Sequence, residues 1–140
     1  MADLAVQGLA ELGRALDGLG PKIERKLMRR ALRAGAVLIR NAAIARVPKD
    51  SGAAQRSIRV VFRRGEPGVI VVNVVAGDLS ESNQRKFGQK SAFYVRFLEY
   101  GTARLPARPF MRPALDDRAS AAVEAIAGVL ADGIEKEAAP

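Results

Sequence analysis

The sequence predicts an α+β fold in which an antiparallel sheet of three to four strands packs against two long helices. Two stretches with apolar residues at helical spacing, 21–46 and 113–134, predict the helices. Three short stretches rich in β-branched and aromatic residues, 58–63, 69–75 and 93–98, predict strands. Because the long helical stretches flank the strands in sequence, we expect the helices to form a layer against the sheet.

The chain has 140 residues, of which 49% are hydrophobic and 27% are charged. This length suits one domain with one core, and the composition excludes wholesale disorder. We expect a single domain over 1–140, with an N-terminal helical segment at 1–20 and an α+β core at 21–138. The net charge of +8 favours anionic partners, which include nucleic acid and acidic protein surfaces.

The residue types needed for much catalytic chemistry are absent. The chain contains no cysteine and no histidine, which excludes disulfides, thiol nucleophiles, cysteine-ligated metals and a histidine base. No glycine-rich loop has the lysine and hydroxyl that would cradle a phosphate. We therefore predict a protein that is not an enzyme and has no catalytic, cofactor or metal site. The carboxylates that a metal-dependent nuclease would need are scattered along the chain without metal-ligand spacing: Asp50, Glu66, Asp78, Glu81 and Glu99.

No basic leader precedes an apolar run, and no stretch approaches the roughly twenty apolar residues that span a bilayer. We expect a soluble protein made in a cytoplasm, without a membrane partner.

The first half of the chain predicts two helices. Residues 4–19 have helical spacing but are interrupted by Gly8 and Gly13, so we expect this segment to be helical only when docked. A second helix should begin at Pro21 and end near Arg46, before Val47-Pro48. Its cations form a basic ridge that faces solvent, packaged DNA or an acidic partner: Lys22, Lys26, Arg29 and Arg33.

The middle of the chain predicts a hairpin, a loop and a third strand. The turn Glu66-Pro67-Gly68-Val69 has the proline and glycine of a type II turn, so we expect 58–63 and 69–75 to pair as an antiparallel hairpin. Residues 76–92 are polar and predict a long mobile loop. Residues 93–98 alternate and predict a strand that joins the hairpin.

The segment 101–113, which we call the strap, contains three prolines and predicts a stiff, extended path. Two interpretations remain open for Phe110 and Met111, which either close the core or serve as apolar anchors for a partner. Glu99, just before the strap, is expected to hold it by pairing with Arg104 or with a backbone amide.

Three segments together resemble the HK97 gp10-like family of bacteriophage tail components. Residues 48–58 (PKDSGAAQRSI) resemble the family motif P-x-D-T-G-x-L-x-x-S-I, with serine at 51 in place of threonine and alanine at 54 in place of leucine. Residues 98–102 (LEYGT) resemble V-E-F-G-T, and residues 106–115 match P-A-R-P-F-M-R-P-A-L. The resemblance extends from about residue 22 to 134. The motif residues to which we assign a structural role are Pro48, Asp50, Ser51, Gly52, Gly101, Thr102, Pro109 and Pro113.

This resemblance implies a structural protein of the virion neck, located at the top of the tail after assembly in the host cytoplasm. It implies a tail-completion or head-tail joining subunit in a homo-oligomeric ring, of six copies, that meets head-closure, tail-terminator or tail-tube proteins. Non-specific contact with packaged DNA is compatible with the basic ridge. We predict a protein interface formed by Glu99, Arg104, Arg108, Phe110, Met111 and Arg112.

Two alternatives remain open. The charge of +8 would also suit a small architectural DNA-binding protein that contacts phosphates. A metal-dependent nuclease that uses Glu99 is the catalytic alternative.

Overall fold

The computed structural model of the protein describes residues 9–48, 52–88, 92 and 94–138. This part of the chain contains six helices and one two-stranded antiparallel sheet. None of the helices within it is long and apolar enough to cross a membrane. In chain order the elements are α1 (Leu9–Asp17), α2 (Pro21–Arg46), α3 (Ala53–Ser57), β1 (Arg59–Arg64), β2 (Ile70–Val75), α4 (Glu81–Phe87), α5 (Val95–Tyr100) and α6 (Met111–Ala138).

Helix α2 has the bounds that its sequence predicts. Gly20 precedes it with φ of 90°, and Pro21 occupies the first helical turn, where the missing N–H of proline is not needed. Val47 is already extended, and its N–H donates to the carbonyl of Ala43 at 3.0 Å. Local signals at both ends therefore set the length of this 26-residue helix.

Helices α2 and α6 pack side by side as the main layer of the fold. Small residues allow their backbones to approach closely, because a Cβ built on Gly35 would lie 2.7 Å from Cγ1 of Ile126 and 2.9 Å from the carbonyl oxygen of Ala122. Contacts along their length show that the two helices are antiparallel. From the start of α2 to its end these contacts join Leu27 to Gly133, Gly35 to Ile126, and the guanidinium of Arg46 to the carboxylate of Asp117.

The core has two parts. One lies between the N-terminal half of α2, the C-terminal half of α6 and α1, and its buried residues are Leu16, Leu27, Ala31 and Leu130. The other lies where the C-terminal half of α2 meets α3, α5 and the start of α6. Its buried residues are Ala42, Ala43, Val47, Ala54, Ile58, Ala92, Val95, Phe110 and Ala114.

The predicted hairpin is present. Strands β1 and β2 pair antiparallel, with Phe62 opposite Val72. In the connecting turn the N–H of Val69 donates to the carbonyl of Glu66 at 2.9 Å, and Gly68 has φ of 82°. Both features are those of the type II turn that the proline and glycine predict.

The prediction of a third strand at 93–98 is wrong, because residues 95–100 form helix α5. Phe93 lies outside the described residues. The side chains that pack inward are Val95 and Leu98, three residues apart, whereas Phe97 between them is exposed. The aromatic and aliphatic residues of 93–98 fit the spacing of a helix as well as that of a strand. The helix is favoured because it buries Val95 and Leu98 against the second part of the core. The described sheet therefore has two strands rather than three to four.

Part of the segment 76–92, predicted to be a mobile loop, is helical. Helix α4 begins after Ser80, whose hydroxyl accepts from the N–H of Asn83, and ends at Gly88, which has φ of 67°. A serine at the start and a glycine after the end are ordinary capping signals, and the polar composition of the segment obscured them. Residues 89–91 lie outside the described part of the chain.

Candidate interaction surface

The strap leaves the core at a sharp backbone turn after α5. Gly101 has φ of 76°, and its N–H donates to the carbonyl of Phe97 at 2.8 Å. A Cβ at this position would lie 2.8 Å from the backbone nitrogen of Ala107. Both the positive φ and the close approach of the returning chain require glycine here. Gly101 therefore sets the backbone turn at which the strap begins.

A compact turn shapes the outer part of the strap. The N–H of Thr102 donates to the carbonyl of Leu105 at 2.9 Å. The Thr102 hydroxyl in return accepts from the N–H of Leu105 at 3.0 Å and from that of Arg104 at 3.3 Å. On the returning side, the N–H of Arg108 donates to the carbonyl of Leu98 at 2.6 Å. These bonds and the fixed φ of the prolines hold the strap in one shape.

Glu99 joins the two ends of the strap. One carboxylate oxygen accepts from the backbone N–H groups of Phe110 at 2.7 Å and Met111 at 3.0 Å. The other accepts from the N–H of Arg112 at 3.0 Å. Of the two partners that the sequence offers for Glu99, Arg104 and a backbone amide, the structure shows the backbone amides.

The start of α6 is fully paired as a result. The first N–H groups of a helix lack partners within that helix. Here those of Phe110, Met111 and Arg112 bind Glu99, and Pro113, the next residue, has no N–H. A carboxylate also interacts favourably with the positive end of the helix dipole. Glu99 therefore acts as a helix cap supplied from a distant position in the sequence.

The ionisation of Glu99 reflects this geometry. Burial alone raises the pKa of its carboxyl, but the hydrogen bonds from the backbone of Met111, Phe110 and Arg112, together with the charge of Arg112, have the larger combined effect. The pKa of Glu99 is consequently below its ordinary value of 4.5. Glu99 is thus a carboxylate, able to accept all three bonds, at neutral pH.

The strap presents both apolar and cationic side chains to solvent. Residues 102–109 are all exposed. Leu105 is 63% exposed, and Tyr100, at the base of the strap, is 82% exposed. Arg104, Arg108 and Arg112 are also exposed. The shape of the strap therefore depends on the backbone bonds of Thr102 and Glu99, and its side chains remain available for contact.

Phe110 and Met111 are less exposed than the arginines of the strap. Phe110 is 1% exposed and lies in the second part of the core, which corrects its predicted role as an anchor for a partner. Met111 is partly buried and lines a groove of about 550 Å³ between α2, β2 and the start of α6. The walls of this groove are mostly apolar and include Leu32, Ile39, Val72, Val74 and Leu115.

The first motif forms the connection between α2 and α3. Pro48 follows α2 and is partly buried, whereas Asp50 and Ser51 lie outside the described residues. Gly52 has φ of 91° and precedes α3, and its carbonyl accepts from the N–H of Arg56 at 3.1 Å. This positive φ explains the glycine of the motif.

The basic ridge of α2 is exposed along its length. The helical spacing of α2 does not show that these cations meet others from the sheet. In the structure the end of the hairpin folds against α2 and places Arg63 and Arg64 near Arg25 and Arg29. These four residues line a groove with a volume of about 720 Å³, which we call the arginine groove. The guanidinium of Arg29 lies 4.8 Å from the ring centre of Phe62. Lys22, Lys26 and Arg33 lie outside the groove.

The carboxylates considered for a nuclease are not assembled into a metal site. Among the described residues no group of three or more Asp, Glu, His or Cys side chains could hold a metal ion. Asp50 is not among those residues. Glu99, the residue on which a nuclease would depend, is bound to backbone amides at the start of α6.

Fold and surface together define a small α+β protein with an exposed segment whose backbone is held in one shape. A family model described as "Bacteriophage HK97-gp10, putative tail-component" matches residues 10–101. This is more than half of the chain, which therefore belongs to the HK97-gp10-like family of phage tail components. The matched region ends at Gly101, so most of the strap and all of α6 follow it. No curated protein and no solved structure matches the chain.

Proposed function

We propose that this protein is a structural, non-catalytic subunit of the phage neck that assembles as a ring and joins the head-closure complex to the tail. The observation that carries the proposal is membership of a phage tail-component family combined with a pre-shaped, exposed strap. A protein of this kind acts within the virion by fitting its neighbours, and the strap is the element suited to that fit.

The physical advantage of the strap is that little order remains to be acquired on binding. Association is opposed by the entropy lost when loops and side chains become fixed. The bonds of Thr102 and Glu99 already fix the backbone of the strap in the free subunit. Tyr100 and Leu105 then supply exposed apolar area, which is the kind of anchor that dominates binding at protein interfaces.

The arginines of the strap supply direction and specificity. Arg104, Arg108 and Arg112 are exposed, and a guanidinium donates two parallel hydrogen bonds to a carboxylate. Charge pairs of this kind accelerate encounter and fix the register of two surfaces. We therefore expect the partner of the strap, a neighbouring subunit or an adjacent neck protein, to present acidic residues around an apolar recess.

The test is complementation of phage that lack this protein. Electron microscopy of particles made without it should show filled heads and separate tails. The wild-type chain should restore joined particles, and a strap variant with Arg104→Glu and Arg108→Glu should not. A control with Arg30→Glu and Arg118→Glu makes the same change in charge at exposed positions outside the strap and should restore joining. Normal joining without the protein would contradict the proposal.

The four arginines of the arginine groove favour a second candidate function, which is non-specific DNA binding through phosphates. A gel shift with duplex DNA tests it. Binding that persists at physiological salt would favour an architectural DNA-binding protein, and binding lost there would favour the neck subunit.

A further inference from the structure

We propose that the arginine groove binds the acidic C-terminal end of α6 from a second copy of this chain, so that subunits associate head to tail. The acidic end consists of Asp132, Glu135 and Glu137, which are exposed in the last two turns of α6. This inference rests on the proposed function and deepens it by naming the contact between neighbouring subunits.

The positions of the two surfaces within one subunit favour a contact between copies. Leu27 packs inward against Gly133 and Leu130, near the acidic end of α6. Arg25 and Arg29 lie two residues before and after Leu27 on the same helix and line the arginine groove. Residues two apart on a helix point to opposite sides. The acidic end and the arginine groove therefore lie at the same level of α2, on opposite sides of it.

This placement has a consequence for symmetry. In a two-fold symmetric dimer the same surface of each subunit meets its copy. Two different surfaces on opposite sides of a subunit instead form a heterologous, head-to-tail contact. Because the two surfaces are at one level, each added copy sits beside the previous one with little axial displacement. Repetition of such a contact closes into a ring when the rotation between copies allows it.

The charges of the two surfaces are complementary. The acidic end lies at the negative end of the α6 dipole, where carboxylates are unfavourable, and Lys136 is the one cation between Glu135 and Glu137. The arginine groove has the opposite imbalance, with four arginines and Glu24 as the one acid among its described lining residues. Among the described residues the four arginines make no salt bridge. Contact between copies would relieve the excess of like charge on both surfaces.

The shape and lining of the groove fit a helix end better than a DNA backbone. The groove is a concave volume of about 720 Å³, and Val69, which is 52% exposed, adds apolar surface at the hairpin turn. The ridge residues that would extend a phosphate track along α2, Lys22, Lys26 and Arg33, lie outside it. We therefore take a protein segment, rather than nucleic acid, as its occupant.

The experiment uses two charge-reversed forms of the full chain. The groove variant carries Arg63→Glu and Arg64→Glu, and the end variant carries Glu135→Lys and Glu137→Lys. Sedimentation velocity at low ionic strength should show oligomers of the wild-type chain. Each variant alone should self-associate about tenfold or more weakly than the wild type. The end variant places cations at a helix C-terminus, which favours folding, so its loss of association cannot be attributed to unfolding.

Mixing the two variants provides the decisive observation. In an equimolar mixture, each reversed groove meets a reversed end and each wild-type groove meets a wild-type end, so oligomers of alternating composition should form again. A control with Arg30→Glu and Arg118→Glu should associate as the wild type does. Failure of the mixture to recover, or a wild-type chain that stays monomeric at low ionic strength, overturns the inference.

Two further outcomes separate this inference from the function on which it rests. If the groove variant assembles normally but loses binding to duplex DNA in a gel shift, the groove contacts nucleic acid and the inference is overturned. If both variants assemble and restore joined particles as the wild type does, the subunit contact lies elsewhere while the neck function stands. Normal head-tail joining without the protein would instead remove the proposed function itself.

Discussion

The carboxylate of Glu99 lies 2.7 Å from the backbone nitrogen of Phe110, eleven residues further along the chain. This bond closes the strap at its base and begins α6 at the same point. The same carboxylate also accepts from the next two N–H groups, so a single side chain both closes the exposed segment and caps the start of a 28-residue helix.

Substitution of Glu99 by glutamine should destabilise the protein by about 0.5–2 kcal/mol, the usual range for the loss of a helix cap. Glutamine retains one oxygen, but its amide group would face backbone N–H groups that need an acceptor. Urea denaturation followed by circular dichroism measures the change. Glu81→Gln, in an exposed position of the short helix α4, is the control and should change stability by less than about 0.5 kcal/mol.

The contribution of Glu99 should depend on pH with a defined sign. Its pKa in the folded protein is below the ordinary value of 4.5, so its stabilising effect is fully present above pH 4.5 and is lost as pH falls through the lower, folded-state pKa. The difference in melting temperature between the wild type and Glu99→Gln should therefore be constant near neutrality and shrink in acid. A difference that grows on acidification would contradict the proposed cap.

Replacement of Phe110 by alanine should destabilise the fold by about 3–5 kcal/mol, because it empties a buried aromatic site in the second part of the core. Leu105→Ala removes an apolar side chain that is 63% exposed and should change stability by less than about 0.5 kcal/mol. Thermal unfolding of the two variants compares them directly. Similar melting temperatures for both would mean that Phe110 is not a core residue.

Gly35→Ala should separate α2 from α6 and destabilise the protein by about 1–3 kcal/mol, because the new methyl group would meet Ile126 and the backbone of Ala122. The matched control is Gly128→Ala in α6, where no atom beyond the neighbouring backbone of the same helix lies within 4 Å of the new Cβ. That change should stabilise the helix by up to about 1 kcal/mol. Stability changes of opposite sign for the two variants in chemical denaturation would establish that glycine at 35 is required by the close approach of the two helices and not by helix propensity.

The sequence predicted correctly those elements whose ends are marked by local residues. Pro21 and the pair Val47-Pro48 give both ends of α2, and Pro67-Gly68 gives the hairpin turn. These residues restrict their own backbone angles, so their effect does not depend on distant parts of the chain. The family resemblance was likewise readable from short motifs, and the match over residues 10–101 confirms it.

The features that the sequence did not reveal depend on contacts between distant residues. The apolar residues of 93–98 suit a strand or a helix, and only the core against which Val95 and Leu98 pack decides between them. The arginine groove likewise requires the hairpin to fold against α2, since Arg29 and Arg63 are far apart in the sequence. Periodicity places a residue on a face of its own element, but it does not say which other element meets that face.

Closure of the strap by Glu99 makes residues 102–108 an anchored loop whose outer part can change length without disturbing the helix that follows. A short epitope inserted between Leu105 and Pro106 would project from the subunit while the bonds at Phe110, Met111 and Arg112 stay in place. Because the proposed function places the strap against a neighbour, such an insertion should leave the subunit folded and still block the joining of heads to tails, which separates the folding role of Glu99 from the binding role of the strap.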